Sequence, residues 1–491
     1  MQMGRRQFLG LAAAGLVHAQ VSVAQGQSKK LNVLHILSDD LAACLGCYGH
    51  PMVKTPHLDR LAARGLRFER AYCQYPLCNP SRASVMTGLR PDTTKVYENQ
   101  TFFRDVVADA VSIPQSFKKA GYSVARVGKI YHYGVPSQIG TDGLDDPASW
   151  EKVANPKGRD IDDKSIIEVL TLGADGKSTT VTGKDLRDTG GTLSWLAADG
   201  TDAEQTDGLG AAAAIAMLEE RAKDTKPFYL AVGFFRPHTP FVAPKAYFDM
   251  YPKDQITLPT VPANLKELFP APALATMKPA HTAMSDELRR TALQAYFAAT
   301  TFMDAQVGLL LDALDRLQLT DSTIIVFHSD HGYHLGEKDL WQKQSIFEES
   351  ARVPLIIAVP GADTKGKSTN RPVELVSLHK TLTDICGISA DSKTQGHSLR
   401  PLIENPEAEW AHAAYSQVQR RPGNRNDTQE TIMGRSVRTA RWRYTEWNEG
   451  SAGAELYDHN TDPGEMKNLA SDSGYASVVD ELKRLLRSGA K

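Results

Sequence analysis

Short apolar runs that end in charged residues recur along this chain of 491 residues. The run at residues 32–37 ends at Ser38-Asp39-Asp40, and the run at 323–327 is followed by Ser329-Asp330-His331. Similar runs occupy residues 122–127, 228–234 and 355–359. Runs of this length predict buried strands. Because helical patterns alternate with them, the chain predicts an α/β fold with a large, mostly parallel central sheet that is covered on both faces.

Two stretches have the spacing of amphipathic helices. One apolar face is formed by Leu58, Leu61, Ala62 and Leu66, and the same pattern extends over residues 291–317. We therefore expect a short helix after the first strand and a long one before the strand at 323–327.

The remaining segments differ from this pattern. Residues 138–210 are rich in Gly, Asp and Thr and have weak periodicity, which indicates an insertion or a lid. Beyond residue 411 there are short strand-like segments at 436–439, 442–447 and 455–458, and a helical pattern at 478–486. These predict a small C-terminal α+β subdomain with antiparallel strands.

Composition narrows the class of protein. Hydrophobic residues make up 41% and charged residues 23%, which is globular composition and excludes a disordered chain or a coiled coil. The net charge is −2, so the whole-protein field of a nucleic-acid binder is absent and an anionic ligand must be recognised locally. Five cysteines are too few for a disulfide scaffold. Of these, Cys44, Cys47, Cys73 and Cys386 are expected to be small apolar residues, with a Cys44–Cys47 pair as the alternative.

The first residues resemble an export signal. Arg5-Arg6 precedes an apolar run at residues 9–17, and the small residues Ser22 and Ala24 suit a cleavage site. The run is shorter than the ~20 residues that span a bilayer. We therefore expect a signal peptide at residues 1–24 that directs twin-arginine export, with an ordinary Sec signal as the alternative. The expected location is periplasmic or secreted, without stable membrane insertion.

The charged residues that follow the predicted strands are expected to meet. In a parallel sheet the carboxyl ends of the strands lie at one edge, where ligands bind. This edge would gather three carboxylates, several imidazoles and two cations, namely Asp39, Asp40, Asp330, His331, Lys129, His132, Arg236 and His238. Carboxylates held close together require a cation among them, and an oxygen-rich site favours Ca²⁺ or Mg²⁺. The lysine and arginine imply an anionic group on the substrate.

Each of these residues has an ordinary structural explanation when it is taken alone. Asp39-Asp40 is typical of a solvated strand end, His132 and His238 are typical of structural histidines, and Lys343 of a surface residue. The segment Cys78-Asn79-Pro80-Ser81-Arg82 is compatible with a simple helix start. Their combination carries the functional hypothesis.

Two motifs resemble those of a known family. Cys78-x-Pro80-Ser81-Arg82, closed by Thr87-Gly88, resembles the signature of type I, formylglycine-dependent sulfatases. Residues 121–132 resemble their second signature. Segments at 45–49, 90–94, 329–337 and 432–439 are similar to the iduronate-2-sulfatase branch, and the likeness extends from about residue 31 to beyond 460. Asn79 and Val124 depart from the family pattern without touching a reacting group.

The resemblance implies an alkaline-phosphatase-like sandwich, with a catalytic domain at residues 25–410 and a C-terminal subdomain at 411–491. It implies hydrolysis of sulfate esters of a sulfated sugar, and 2-O-sulfated uronic acids are one candidate substrate. Its implied partners are a formylglycine-generating maturase and the export machinery, with no nucleic acid. Two alternatives stay open, a phosphonate monoester or phosphodiester hydrolase of the same superfamily and a non-catalytic glycan-binding relative.

The resemblance also implies a metal and a modified residue. Cys78 would be converted to formylglycine by a maturase that reads Pro80 and Arg82. A Ca²⁺ ion would be held by residues that the family uses as ligands, here Asp39, Asp40, Asp330, His331 and the modified Cys78.

Catalytic roles are implied in the same way. Arg82 would orient the nucleophile and Asp330 would take its proton, while Lys129 and Lys343 would neutralise the sulfate oxygens. His238 would protonate the departing sugar oxygen. His132 would remove the proton that allows sulfate to leave.

Overall fold

The computed structural model describes residues 30–183, 190–420 and 431–489. The predicted export signal at residues 1–24 lies outside these described residues. Leu31–Lys491 forms one compact unit. The division into domains at residue 410 therefore stays a prediction.

The strands are numbered in chain order. They are β1 (Asn32–Ser38), β2 (Leu66–Tyr72), β3 (Ser123–Gly128), β4 (Lys152–Ala154), β5 (Glu168–Leu172), β6 (Ser178–Val181), β7 (Ser194–Ala198), β8 (Phe228–Gly233), β9 (Phe241–Pro244), β10 (Thr323–Ser329), β11 (His334–Leu335), β12 (Trp341–Gln342), β13 (Arg352–Ala358), β14 (Lys367–Thr369), β15 (Val373–Glu374), β16 (Ala414–Arg420), β17 (Ile432–Arg438), β18 (Trp442–Trp447) and β19 (Ala454–Asp458).

The α-helices of the described residues are numbered in the same way. They are α1 (Pro56–Arg64), α2 (Cys78–Thr87), α3 (Pro91–Thr94), α4 (Ile113–Lys119), α5 (Arg159–Asp162), α6 (Thr206–Arg221), α7 (Lys245–Phe248), α8 (Leu265–Leu268), α9 (Pro279–Thr282), α10 (Asp286–Arg316), α11 (Glu348–Ala351), α12 (Leu378–Ile385), α13 (Arg400–Glu404) and α14 (Ala476–Gly489).

The central sheet has the strand order β14-β2-β13-β10-β1-β8-β3-β4, and β15 also pairs with β2. Strands β10, β1, β8, β3 and β4 run parallel to one another. Strand β13 is antiparallel to both β10 and β2. The sheet is therefore mixed but mostly parallel, as the sequence predicts, and the carboxyl ends of its central strands lie at one edge.

Both faces of the sheet are covered because its strands are apolar on both sides. Val33 and Leu37 of β1 belong to one core with Phe117 of α4. Leu34 and Ile36 face the opposite core, where they join Val307, Leu311 and other residues of α10. Helix α10 is long and apolar enough to cross a bilayer, yet most of its apolar stretch is buried inside the protein, so it is a core helix.

Several predicted boundaries are wrong. Helix α1 ends at Arg64, and Leu66 begins strand β2, because Gly65 has an extended conformation that stops the helix. Helix α10 begins at Asp286, before the predicted start at 291, because the Ser285 hydroxyl accepts a hydrogen bond from the amide of Leu288.

The segment at 138–210 contains regular structure that its weak periodicity does not reveal. Strand β4 extends the central sheet, and β5, β6 and β7 form a second sheet with β9 in the order β6-β5-β7-β9. Leu170 and Trp195 of this sheet pack with Leu293 and Phe297 of α10. The predicted C-terminal strands correspond to β17, β18 and β19, and with β16, which was not predicted, they form an antiparallel sheet in the order β16-β17-β18-β19.

Candidate active site

The acidic residues that follow β1 and β10 lie side by side. The parallel register places Ser38 opposite Ser329, so Asp39 and Asp330 leave the sheet at the same level. The backbone then turns at Asp40, whose φ of 64° lies in the left-handed region that aspartate tolerates. The amide of Asp40 donates a hydrogen bond of 3.1 Å to Oδ1 of Asp330. All three carboxylates are buried at this edge.

Helix α2 begins at Cys78 and points this residue toward the acids. All of its residues are buried, and the Ser81 hydroxyl donates to the backbone carbonyl of Asp330 at 2.5 Å. The Asn79 amide group donates to the carbonyls of Glu98 and Thr101 at 3.0 and 2.7 Å. The departure from the family pattern at position 79 therefore fixes a neighbouring loop and leaves the reacting centre unchanged.

Arg82 connects two of the carboxylates. Its Nε donates to Oδ2 of Asp330 at 2.8 Å, and its Nη2 donates to Oδ1 of Asp39 at 3.0 Å. Nη1 donates to the carbonyls of Lys129 and Ile130 at 2.5 and 3.1 Å. The guanidinium is 1% exposed. A planar fork of this kind holds the two acids in fixed positions.

The charges around Asp39 and Asp330 move their pKa values in opposite directions. Burial raises the pKa of Asp39, but Lys129, which donates at 2.6 Å, and Arg82 outweigh burial and hold this pKa well below its usual range. At Asp330 burial outweighs Arg82 and raises the pKa to about 6. Asp39 is therefore a permanent anion, whereas Asp330 can exchange a proton near neutral pH.

The Cys78 thiol lies at the centre of these groups and is fully buried. Its Sγ is 3.1 Å from Nζ of Lys343, 3.4 Å from Nε2 of His331 and 3.7 Å from Oδ1 of Asp40. Burial alone would raise the pKa of this thiol. The positive charges of Lys129 and Lys343, with hydrogen bonds from the nearby imidazoles, outweigh burial and hold the pKa well below its ordinary value.

His331 and His132 are two imidazoles near this thiol, and their pKa values move in opposite directions. Nδ1 of His331 lies 2.8 Å from the carbonyl of Gly332 and its Nε2 lies 3.2 Å from Oδ1 of Asp40. Burial lowers the pKa of His331, but Asp330 and Asp40 raise it to about 9, so this ring is protonated. Burial lowers the pKa of His132 to about 4, so this ring is neutral.

His238 completes the edge of the site. Its Nδ1 lies 2.6 Å from the carbonyl of Thr239, which makes Nδ1 the donor and turns Nε2 toward Oδ2 of Asp40 at 3.8 Å. Arg236 does not face the cysteine, contrary to expectation, because it pairs with the buried Asp160 at 2.6 Å. Arg236 also donates to the His238 carbonyl at 3.3 Å, which steadies the turn that carries this histidine.

Comparison with known proteins identifies the family. A family model described as Sulfatase matches residues 31–388, most of the chain. The chain belongs to the sulfatase family. A second model, described as N-sulphoglucosamine sulphohydrolase, C-terminal, matches residues 336–491 of this sulfatase.

Individual relatives agree with this assignment. The chain is 34% identical to iduronate 2-sulfatase of Homo sapiens over 94% of its length and 96% of that protein. It is 32% identical to iduronate 2-sulfatase of Mus musculus over 94% of its length and 95% of that protein. Among solved structures, the phosphonate monoester hydrolase of Agrobacterium radiobacter has a TM-score of 0.76 at 24% identity, covering 94% of this chain and 96% of that one. These findings confirm the predicted fold and a sulfatase that hydrolyses sulfate esters.

The donor set of this sulfatase fits a hard divalent cation. Ligand atoms of Asp39, Asp40, Cys78 and His238 lie within 4.8 Å of one another, and so do those of Cys78, Asp330 and His331. Carboxylate oxygens are the preferred ligands of Ca²⁺. Asp330 and Asp40 also raise the pKa of the buried His331, which indicates that they favour positive charge at this position.

One residue near the sulfatase site has no motif that would reveal it. Lys278 lies in the loop before α9, where its Nζ donates to the Gly191 carbonyl at 2.8 Å and to Oε1 of Gln342 at 2.5 Å. Burial and the charge of Lys343 lower the pKa of Lys278 to about 8. Its described hydrogen-bond acceptors are both neutral, so its charge is not balanced by a carboxylate within the described residues.

The other cysteines of the sulfatase are free thiols, so the alternative Cys44–Cys47 pair is not formed. Cys44 and Cys73 are buried among apolar residues, as predicted.

Proposed function

We propose that this sulfatase acts on a sulfated sugar through Cys78 after its conversion to formylglycine. The supporting observation is the position of Cys78, which is fully buried at the first turn of α2 and lies within 3.1–3.7 Å of Lys343, His331 and Asp40. Formylglycine, as a hydrated aldehyde, would supply two hydroxyls on one carbon, one to attack sulfur and one to release sulfate by elimination.

The surrounding side chains have the properties that this chemistry requires. Arg82 fixes the direction of Asp330, whose pKa of about 6 suits it to take a proton from the attacking hydroxyl. Lys129 and Lys343 concentrate positive charge where the sulfate oxygens become more negative.

Two histidines supply the remaining proton transfers. Nε2 of His238 faces the site because Nδ1 is held by the Thr239 carbonyl, so His238 would protonate the departing sugar oxygen. His132 is neutral because its pKa is lowered to about 4, so it would accept the proton that allows sulfate to leave.

We also propose that Asp39, Asp40, Asp330, His331 and the modified Cys78 hold a Ca²⁺ ion. Bound Ca²⁺ would supply positive charge that favours the ionised nucleophile and the sulfate oxygens. A nitrogen ligand is unusual for Ca²⁺. His331 is therefore the weakest member of this set, and its main contribution would be its position beside Asp40.

The proposed substrate group is a 2-O-sulfated uronic acid. The relatives named iduronate 2-sulfatase support this choice, and so does Lys278, a half-buried ammonium without a carboxylate partner in the described part of the chain. A uronate carboxylate beside the sulfate ester would balance its charge. The proposed partners are a maturase for Cys78 and the export machinery, and the proposed location is periplasmic or secreted.

Mass spectrometry of the tryptic peptide 71–82 tests the modification. Protein produced in its native host, or together with a maturase, is expected to carry an aldehyde at Cys78. Cys73 lies in the same peptide and serves as the internal control, because it should still react as an ordinary thiol. Two intact thiols would contradict the proposal and favour the glycan-binding alternative.

A second assay separates the enzyme classes. The values of kcat/KM for 4-nitrophenyl sulfate and for an aryl phosphonate monoester are compared on the same preparation. The proposal predicts a preference for the sulfate ester. A preference for the phosphonate would favour the phosphonate monoester or phosphodiester hydrolase that shares this fold.

A further inference from the structure

A polar cavity of about 350 Å³ lies next to the active site, and no catalytic role uses it. Most of its lining side chains carry hydrogen-bonding groups, among them Tyr97, Asn99, Gln100, Gln344, Gln419 and Arg420. This volume is at the lower end of the range of small-molecule sites, which begins at about 300 Å³. Amide side chains match the hydroxyl groups of a sugar as donors and acceptors.

The chain connects this cavity directly to the reacting centre. Leu77 lines the cavity and precedes Cys78, and Gln344 lines it and follows Lys343. Oδ1 of Asn99 accepts a hydrogen bond of 3.1 Å from the backbone amide of Asn79. Residues that line the cavity are therefore direct chain neighbours or hydrogen-bond partners of the residues around the reacting centre.

Arg420 is a charged group of this cavity, which the acid Glu98 also lines, and it forms no ion pair with a described residue. Its side chain belongs to a residue that is 6% exposed, and its Cζ lies 5.4 Å from the centre of the Trp447 ring. Nε donates to the carbonyl of Pro272 at 3.0 Å, whereas the buried Nη2 has no hydrogen-bond partner. Within the described residues no carboxylate forms an ion pair with it.

A buried guanidinium with an unused donor costs free energy unless a ligand completes it. Burial lowers the pKa of Arg420 to about 10, which is the mark of a cation in a poorly solvated place. Elsewhere in the same sheet a fully buried arginine has acidic partners, since Arg443 donates to Glu348 and Glu465. The charge of Glu455 reaches Arg420, but this carboxylate accepts its hydrogen bonds from Trp447 and Tyr457. The contrast with Arg443 indicates that Nη2 of Arg420 is available for an acceptor that the described residues do not supply.

We propose that this cavity binds the sugar next to the sulfated residue and that Arg420 binds an oxyanion on that neighbouring sugar. The inference rests on the proposed function, because it assumes that a sulfated sugar occupies the active site. The oxyanion is a carboxylate or a second sulfate, both of which match the donors of a guanidinium. The preferred substrate is therefore an acidic disaccharide or a longer fragment.

The test compares 4-nitrophenyl sulfate with three disaccharides that share the same terminal 2-O-sulfated uronic acid. Their neighbouring sugars are neutral, carboxylated or sulfated. The full-length enzyme is expected to have at least a tenfold higher kcat/KM on one of the acidic disaccharides than on the neutral one. The acidic disaccharide with the larger increase in kcat/KM identifies the oxyanion as a carboxylate or as a sulfate.

Arg420→Gln is expected to reduce this preference for the acidic disaccharide at least tenfold, mainly through KM. Arg420→Lys retains the charge but loses the planar fork, so it should keep part of the preference. The matched control is Arg441→Gln, an exposed arginine that directly precedes β18 of the same sheet and already pairs with Asp458 at 2.6 Å. It should leave the preference unchanged.

The results separate the possible failures. Equal kcat/KM of the wild-type enzyme on neutral and acidic disaccharides would overturn the inference without the use of any variant. A proportional loss on all four substrates in Arg420→Gln would also overturn it, because Arg420 would then be structural. If the wild-type enzyme released sulfate from none of the substrates, the proposed function itself would fail.

Discussion

Glu455 is a buried acid whose titration should be visible in the stability of the whole protein. It lies in β19 at 2% exposure and accepts hydrogen bonds from Nε1 of Trp447 at 2.8 Å and from the hydroxyl of Tyr457 at 2.7 Å. Burial raises its pKa from 4.5 to about 7 despite these two donors. Glu455 is not among the proposed metal ligands, so its effect can be measured without regard to Ca²⁺.

The sign follows from proton linkage. Below pH 4.5 the carboxyl is protonated in both states and contributes no pH dependence. Between 4.5 and about 7 only the unfolded chain loses its proton, so the free energy of unfolding falls as the pH rises. The difference between the folded-state and unfolded-state pKa values of Glu455 lowers the free energy of unfolding by at most about 3 kcal/mol, since each pKa unit is worth about 1.4 kcal/mol.

Glu455→Gln removes this titration and can keep both hydrogen bonds. The amide oxygen of glutamine accepts from Trp447 and its NH₂ group donates to the hydroxyl of Tyr457. We therefore expect the variant to match the wild-type protein near pH 5 and to be more stable by up to about 3 kcal/mol near pH 8. Groups shared by both proteins cancel in this difference.

Urea-induced unfolding of both proteins at the two pH values measures the effect. Glu481→Gln in α14 is the matched control, because Glu481 is exposed and its carboxylate is hydrated in both states. An equal difference between wild type and Glu455→Gln at the two pH values would refute the reasoning, because the buried carboxyl would then titrate as it does in the unfolded chain.

Three further predictions concern the active site. Cys78→Ala should abolish sulfate release from 4-nitrophenyl sulfate while the unfolding temperature stays near that of the wild type, and full activity would exclude Cys78 as the source of the nucleophile. A chelator should lower turnover and added Ca²⁺ should restore it; an enzyme indifferent to the chelator would assign the three acids another role. Arg82→Lys should destabilise the protein to urea by about 2–3 kcal/mol, because one ammonium cannot reach both Asp39 and Asp330 and a buried charged hydrogen bond is lost. A loss below about 1 kcal/mol would show that the carboxylates have other partners.

The strand ends were predictable because their signals are local. An apolar run that is followed within a few residues by an acid, as before Asp39 and before Asp330, indicates both the strand and the position of its charged end. The parallel direction follows from the helices between the strands, and together these place the acids at one edge. Arg236 shows the limit of this reasoning. It follows a strand of the sheet, but its side chain pairs with Asp160 and does not face the cysteine, and the sequence pattern does not indicate this partner.

Features that depend on distant contacts were not predictable. The apolar run of β13 has the same composition whichever way it points, and only its pairing with β10 and β2 makes it antiparallel. Lys278 and Arg420 stand in no motif, and their significance comes from the lack of a carboxylate hydrogen-bond partner within the described ranges, which only the folded chain reveals. The sequence pattern did not predict the strands at 168–198, because buried and exposed positions alternate irregularly along them.

The complete burial of α2 limits when the proposed modification of Cys78 could take place. With Cys78 at 0% exposure and every residue of its helix enclosed, a second protein has no access to this thiol in the folded chain. The proposed oxidation would therefore precede folding, while residues 78–82 are still an extended peptide that a maturase can bind. If the chain crosses the membrane already folded, as the proposed twin-arginine export implies, the proposed oxidation of Cys78 would take place in the cytoplasm, before export.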